Sequence, residues 1–571
     1  MHRCRPLLSF AAALLFGPGA VRAAESSVIA LPPYLVEEAA KSLPWRYAEV
    51  AGMEVLSSCP EKLTRDLIAN HHRLHVLLGE LVPPALQLKM SGKQTLLFVD
   101  SAQLPPTSQE VVAQMALSAV DQERLDNTVV PVDDGRLRRR PPPPRYTFLP
   151  NLRLWDRDGQ ALFAVVRASE FDPNRVALTP DYVAYVLRQR LPALPPWYIS
   201  GVLTLFARAR FSEDALTLER LDWLSASGSA ALQTGPAANR ALLPMADFFA
   251  GELSASDPAL GEGLSLWQAQ AALFVRWGLA GRDATRRAAL ATFVTRAAVE
   301  PVTEALFREC FGVDFATART QLTAYLPEAM REKLPLRPAS RVRLPDYPVR
   351  PAGDVEVARI KGDWERLEIT YVRTHFPTLT TKYVEQARRT LMRAYDGGSR
   401  DPQLLAVLGL CEVDAGNDAG ARGYLEDAAA RDPALRPRAR FELARLRFAA
   451  ARAPGAGAAP TLTATQAGDV LAPLLAARAQ EPPLVEAYTL IADVWAACTE
   501  APTRAQLAVL EDGVRLFPRH SELVHRTAEL NLRHGHTDAA RWQVTLGLTL
   551  APDAATRARF EVLQARVDAA R

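Results

Sequence analysis

The sequence predicts an α+β N-terminal half followed by an all-α half of helical repeats, and three observations carry that prediction. Short apolar runs of strand character alternate with amphipathic helices as far as residue 334. A proline-punctuated stretch follows, and beyond it small residues and prolines recur at the spacing of stacked helical hairpins. At 571 residues the chain is too long for a single core and reads as several domains. Its apolar fraction of 49% and charged fraction of 23% are those of ordinary globular protein, which excludes global disorder and a polytopic membrane protein.

Residues 1–23 read as a secretory signal peptide. Arg3 and Arg5 form a basic start, Leu7 to Phe16 an apolar centre, and Val21-Arg22-Ala23 a small-residue cleavage site. The expectation is export to the periplasm or the exterior, with a mature chain beginning at Ala24. The apolar centre is shorter than the ~20 residues that span a bilayer, and no later run is longer, so no transmembrane segment is expected in the mature chain. Cleavage removes three arginines and no acid, leaving 64 of the 67 basic residues against 64 acidic ones. That balance excludes nucleic acid as the main partner, because phosphate binding needs a concentrated basic surface. Cys4 leaves with the signal. Cys59, Cys310, Cys411 and Cys498 are spread singly without C-x-x-C spacing, which gives neither a metal site nor a disulfide framework.

Within residues 24–146, Met53 to Ser57 reads as a strand, Lys62 to Leu78 as an amphipathic helix and Gln94 to Asp100 as a buried strand. His71 and His75 stand at i, i+4 on that helix, with His72 beside them. No acid or cysteine at matching spacing completes a metal set, so packing or solvation is the expected role. In Asp133 to Arg145, DDGRLRRRPPPPR, four successive prolines remove backbone donors, and the stretch is expected to form an exposed loop without regular structure.

Residues 147–334 open on two alternating runs, Thr147 to Trp155 and Gln160 to Arg167. Asp156-Arg157-Asp158-Gly159 lies between them, the pattern of a β-hairpin. Then comes Leu178 to Phe211, LTPDYVAYVLRQRLPALPPWYISGVLTLFARARF. This stretch resembles the active-site helix pair of the gluzincin metallopeptidases of the peptidase-MA type. In that family one helix carries H-E-x-x-H, with two zinc-ligand histidines and a general-base glutamate, and a second helix supplies the third ligand. Pro180-Asp181-Tyr182-Val183-Ala184 falls where the first motif lies. Pro196 to Phe206 falls on the second helix and keeps its Trp, Gly and Phe framework in Trp197, Gly201 and Phe206. Leu264 to Leu279 resembles the buried helix that follows, and Phe311 to Phe315 with Leu322, Tyr325 and Leu326 resembles the closing helices. The resemblance implies a zincin-like fold, a mixed sheet plus helices.

It does not bring the chemistry with it. Pro180 and Ala184 occupy the histidine positions, Asp181 that of the base, and Ser200 that of the glutamate ligand. A catalytic zinc needs about three nitrogen or oxygen ligands and a water whose pKa falls to about 7. Proline and alanine offer no ligand atom, and no histidine occurs between His75 and His375. Pro180, Asp181, Ala184 and Ser200 therefore mark a degenerate pseudo-active site, and no catalytic residue, metal or cofactor is expected.

Residues 335–353 read as a proline-rich linker, and residues 354–571 are helical and periodic. Leu408, Gly409, Gly416, Ala421, Ala428 and Pro433 follow the spacing of a tetratricopeptide repeat. Ala528, Gly535, Ala540, Gly547 and Pro552 repeat it, and Pro518 lies 34 residues before Pro552. The small residues let paired helices approach, and the prolines end them. Asp354 to His375 and Thr380 to Tyr395 form a less regular first hairpin. Polar residues such as Glu412 and Asn531, expected to be exposed on the first helices of their hairpins, would grip a protein or peptide partner.

Two function classes follow. One is an exported, non-catalytic pseudo-peptidase whose helical repeats make it a scaffold or binding protein in the cell envelope. The other is a metal-dependent peptidase or another hydrolase with an unusual active site. The missing histidines favour the first, and no G-x-S-x-G, P-loop or dinucleotide fingerprint supports the second.

Overall fold

Most apolar runs of the N-terminal half become strands of a six-stranded mixed sheet, and the others join smaller ones. The computed structural model describes residues 29–31, 44–50, 52–82, 93–103, 129–131, 137–139, 146–148, 151–166, 180–212, 214–223, 241–251, 265–280, 284–338, 344, 346–452 and 461–570. The chain divides into two units, Met1–Glu38 with Ser101–Pro150 and Ala39–Asp100 with Asn151–Arg571. In the first, β1 (Ile29–Leu31) pairs in parallel with β7 (Tyr146–Phe148), and β5 (Val129–Pro131) pairs antiparallel with β6 (Leu137–Arg139). The stretch from Asp133 to Arg145 thus contains a short strand where a structureless loop was expected. Leu137 to Arg139 precede the prolines and keep their backbone donors. The prolines lie outside the described residues.

The larger unit holds a six-stranded sheet in the order β13-β2-β3-β4-β9-β8. β2 (Arg46–Val50) and β3 (Met53–Ser57) form an antiparallel hairpin whose turn uses Gly52 at φ 78°. The helix α1 (Glu61–Leu78) then carries the chain to β4 (Lys93–Asp100), parallel to β3. β9 (Gly159–Val166) is parallel to β4, and β8 (Asn151–Trp155) closes that edge antiparallel to β9, so the hairpin around Asp156 forms as its alternation predicts. β13 (Arg350–Pro351) adds to the other edge beside β2. Leu63, Leu67 and Ile68 of α1 pack on one face against Val55, Leu96, Phe98 and Leu162.

Next come helices α2 (Pro180–Arg188) and α3 (Pro196–Phe206), then α4 (Met245–Ala250), α5 (Leu266–Leu279), α6 (Ala284–Ala297), α7 (Glu304–Phe311) and α8 (Phe315–Arg331). Their apolar sides meet in one core, extended by a small sheet of β10 (Arg210–Phe211), β11 (Leu216–Leu218) and β12 (Leu334–Leu336). The fully buried Arg276 fastens this corner by donating to the carbonyls of Glu219 at 3.0 Å and Glu332 at 2.6 Å.

Eleven helices fill the rest of the described chain: α9 (Asp354–His375), α10 (Thr380–Asp396), α11 (Pro402–Asp414), α12 (Asp418–Arg431), α13 (Pro437–Ala451), α14 (Ala464–Arg478), α15 (Val485–Ala497), α16 (Arg504–Leu516), α17 (Ser521–Arg533), α18 (Thr537–Leu550) and α19 (Ala554–Ala569). Asp401, Asn417, Thr463, Thr503 and Asp553 cap the helices they precede. α9 does more than start this run. Trp364 lies 5.4 Å, ring to ring, from Phe163 of β9, and Arg359 pairs with Glu54 of β3, so α9 covers the sheet face opposite α1. The expected boundary at 146/147 falls inside β7 of the smaller unit, and the expected linker at 335–353 lies within the larger one. That stretch itself supplies β13 and the end of β12, and Arg65 of α1 donates to the carbonyl of Tyr347 at 3.2 Å.

Candidate functional site

Largely apolar segments, each opened by a proline, make α2 and α3 neighbouring buried helices, as the sequence of Leu178 to Phe211 predicts. The framework positions serve packing. Trp197 is 1% exposed and lies 5.3–5.5 Å, ring to ring, from Phe249, Phe274 and Phe293. Tyr198 donates its hydroxyl to the Leu81 carbonyl at 3.1 Å. A Cβ on Gly201 would stand 2.6 Å from the Ala271 carbonyl oxygen, so only glycine lets α3 approach α5 this closely. Ser200 is buried on the same helix, and Ala184 is half-buried on α2. Pro180 and Asp181 form the first turn of α2, and their side chains lie outside the described residues. Among the described residues no three His, Cys, Asp or Glu side chains gather as a metal-binding group. Cys59, Cys310, Cys411 and Cys498 are all free, and burial pushes the thiols of Cys59 and Cys411 up to about 12.

What α2 brings to the sheet is Tyr182. Its hydroxyl lies 2.9 Å from His75 Nδ1 and receives a hydrogen bond from Gln94 Nε2 at 3.3 Å. The Arg153 guanidinium sits 4.4 Å over its ring, and the His71 ring meets it edge-on at 5.7 Å. Gln94 and Gln160 are direct partners on β4 and β9, so this polar group grows from the sheet face that α1 covers. Burial, then the charges of Arg153, His75 and His72, keep the His71 imidazole well below its usual pKa, and it is neutral at pH 7. The i, i+4 spacing of His71 and His75 thus serves helix packing. Tyr182 was legible only as one of the unassigned middle positions of the peptidase-like motif.

A second polar cluster forms where the β8–β9 hairpin meets the helices after residue 353. The Asp156 Oδ2 atom accepts from Arg366 Nη2 at 2.5 Å and Arg436 Nη2 at 3.2 Å, and its Oδ1 pairs with Arg438. Asp158 accepts from Arg436 at 2.5 and 3.0 Å and from the Arg438 backbone N–H at 2.9 Å. Arg366 also donates to Asp363 at 2.8 Å and Asp414 at 2.7 Å. Burial pushes the Asp156 carboxyl up, but the guanidinium groups of Arg366, Arg438 and Arg436 outweigh it and hold that carboxyl below the usual carboxylate range. A turn signal was all that the sequence offered here, because the partners lie more than 200 positions away.

The repeat framework is placed as follows. Leu408, Ala421, Ala428, Ala528 and Ala540 are buried, while Pro433 and Pro552 stand exposed just beyond α12 and α18. A Cβ on Gly409 would lie 2.5 Å from Leu425 Cγ, and one on Gly547 2.2 Å from Phe560 Cε1, so both glycines sit where helices touch. Two positions depart from expectation. Glu412 is buried, held by Arg388 at 2.6 and 2.7 Å and by Asn417 Nδ2 at 2.7 Å. Asn531 is 0% exposed and donates to the Thr527 carbonyl and to Gln543 Oε1, both at 3.2 Å. Both polar side chains face neighbouring helices, where hydrogen bonds offset their burial, and neither is a surface grip. No family model and no curated protein matches the chain.

Proposed function

We propose that the protein is an exported, non-catalytic pseudo-peptidase, a scaffold or binding protein of the cell envelope. Its α+β region is a zincin-like fold without zinc chemistry, and its helices from Asp354 onward are a tetratricopeptide-like solenoid that engages a protein or peptide partner. The observation that carries this reading is α3. The helix that would present a third metal ligand is packed into an aromatic core through Trp197, Tyr198 and Gly201, with a buried serine at the ligand position. A helix so placed orders the core around it. The close contacts at Gly409 and Gly547, with Gly416 and Gly535 at φ 79° and 78° ending α11 and α17, support equivalent units in the helical region. Export rests on residues 1–23, which lie outside the described residues.

The test is to load the mature protein, prepared without a histidine tag, with zinc and remove the excess by dialysis. Bound metal is then measured together with hydrolysis of a peptide library. The expected result is no stoichiometric zinc and no cleavage. One zinc per chain, lost on substitution within residues 178–211, overturns the reading.

A further inference from the structure

The turn Asp156-Arg157-Asp158 is held residue by residue. Asp156 and Asp158 have side chains 2% and 1% exposed, and every carboxylate oxygen has a partner among Arg366, Arg436 and Arg438. Arg157, between them, stacks 5.1 Å over the Phe441 ring and lies 3.8 Å from Glu442 and 3.4 Å from Glu486. The groups that receive these three residues come from α9, from α13 and the Arg436 that precedes it, and from α15, with Asp414 of α11 behind them.

The receiving side is built independently of the turn. Asp363 holds Arg366 at 2.8 Å and Arg436 at 3.0 Å, while Asp414 holds Arg366 and Arg438, each at 2.7 Å. Without the turn, the three guanidinium groups would keep Asp363, Asp414 and, 3.8 Å from Arg438, Glu442, but would lose every contact to the Asp156 and Asp158 carboxylates in a buried place. Fork-shaped guanidinium groups fixed in this way are preorganised for carboxylate oxygens.

We infer that this arginine face of the helical region is a receptor for paired carboxylates one residue apart, and that its resident ligand is the chain's own Asp156–Asp158 turn. The face is therefore occupied within the molecule. It goes beyond the function proposed above: a partner of the helical region docks on another face, and an acidic segment reaches these arginines only by displacing the turn.

The experiment uses the full mature chain carrying Asp156→Ala with Asp158→Ala. Thermal melts are recorded in sodium chloride and in sodium acetate at equal ionic strength. A preorganised receptor predicts a midpoint about 5 °C or more below the natural chain in chloride. In acetate the small carboxylate enters the vacated site, and the variant regains part of that loss beyond the general stabilisation that acetate gives the natural chain. If acetate shifts both proteins equally, or the variant melts with the natural chain, the inference is overturned. Should the double variant fail to fold, Asp158→Ala alone is read in the same two salts by the same criteria. Zinc content and peptide hydrolysis are untouched by either outcome, so failure here and failure of the pseudo-peptidase reading are separate events.

Discussion

The β8–β9 hairpin contributes to two buried polar clusters, and the two meet the cost of burial in opposite ways. Along the strands, Arg153 and Gln160 join His71, His75, Gln94 and Tyr182, where the buried imidazole gives up its charge and the contacts to Tyr182 are hydrogen bonds and ring packing. At the tip, Asp156 and Asp158 keep their charge because guanidinium groups surround them. A cluster held by hydrogen bonds and ring contacts, with Arg153 over the Tyr182 ring, loses one modest interaction when a neutral member is removed. A charged one leaves the remaining ions unpaired in a poor solvent, so its members depend on one another.

Removal of Arg366 should break the comparison most sharply. Arg366→Met leaves Asp156, Asp363 and Asp414 short of a shared cation, and the expected loss is about 3–5 kcal/mol in urea unfolding. An unchanged midpoint would mean that Arg436 and Arg438 suffice. Apolar overpacking sets the scale between the clusters. Ala421→Leu, at a fully buried contact, and Gly547→Leu, against Phe560, should each cost about 1–3 kcal/mol by the same measurement. Tyr182→Phe removes only the hydroxyl between His75 and Gln94 and should cost about 1 kcal/mol. A loss as large as that of Arg366→Met would show that the cluster around Tyr182 is as interdependent as the one around Asp156.

The clusters should also separate by pH. His71 is held below its usual pKa in the folded chain, so its contribution is present above about 6.5 and is lost as the pH falls below that value. Asp156 and Asp363 are also held low, yet their contribution is present above about 3.9 and is lost only in stronger acid. Melting midpoints of the natural chain and His71→Leu should therefore diverge as the pH rises from 5 to 7. Asp156→Asn should change the slope only below about pH 4. A His71→Leu curve parallel to the natural one from pH 5 to 7 would remove the imidazole from this account.

The helices and strands were legible where a period or a punctuating residue marks them. Alternation around Asp156-Arg157-Asp158-Gly159 foretold the hairpin, and the small residues at Gly409, Ala421, Ala540 and Gly547 foretold close helix contacts. Partnership was not legible. Glu412 and Asn531 carry polar side chains at positions that local reasoning places on the surface, yet Arg388 and Gln543 are there to receive them. A proline-rich stretch looks like a hinge because proline cannot join the interior of a sheet. Arg350 and Pro351 instead pair at the sheet edge beside β2, where a missing donor is tolerated. Of the candidate site, the absence of a ligand atom at Pro180 and Ala184 could be read directly, while the group around Tyr182 depends on a strand register and a helix crossing that no local pattern records.

The bond between Glu54 and Arg359 spans 305 positions, and β2 finds its edge partner β13 across a similar stretch. A chain emerging from its N-terminus therefore displays its first hairpin long before the segment that covers it exists. Until α9 arrives, Phe163 and the neighbouring strand residues wait without their lid, in the interval when sticky surface meets other unfinished chains. The order of synthesis thus asks for shelter early and supplies it late. A truncated product ending before residue 354 would carry that uncovered face permanently, and aggregation during production is the behaviour to look for.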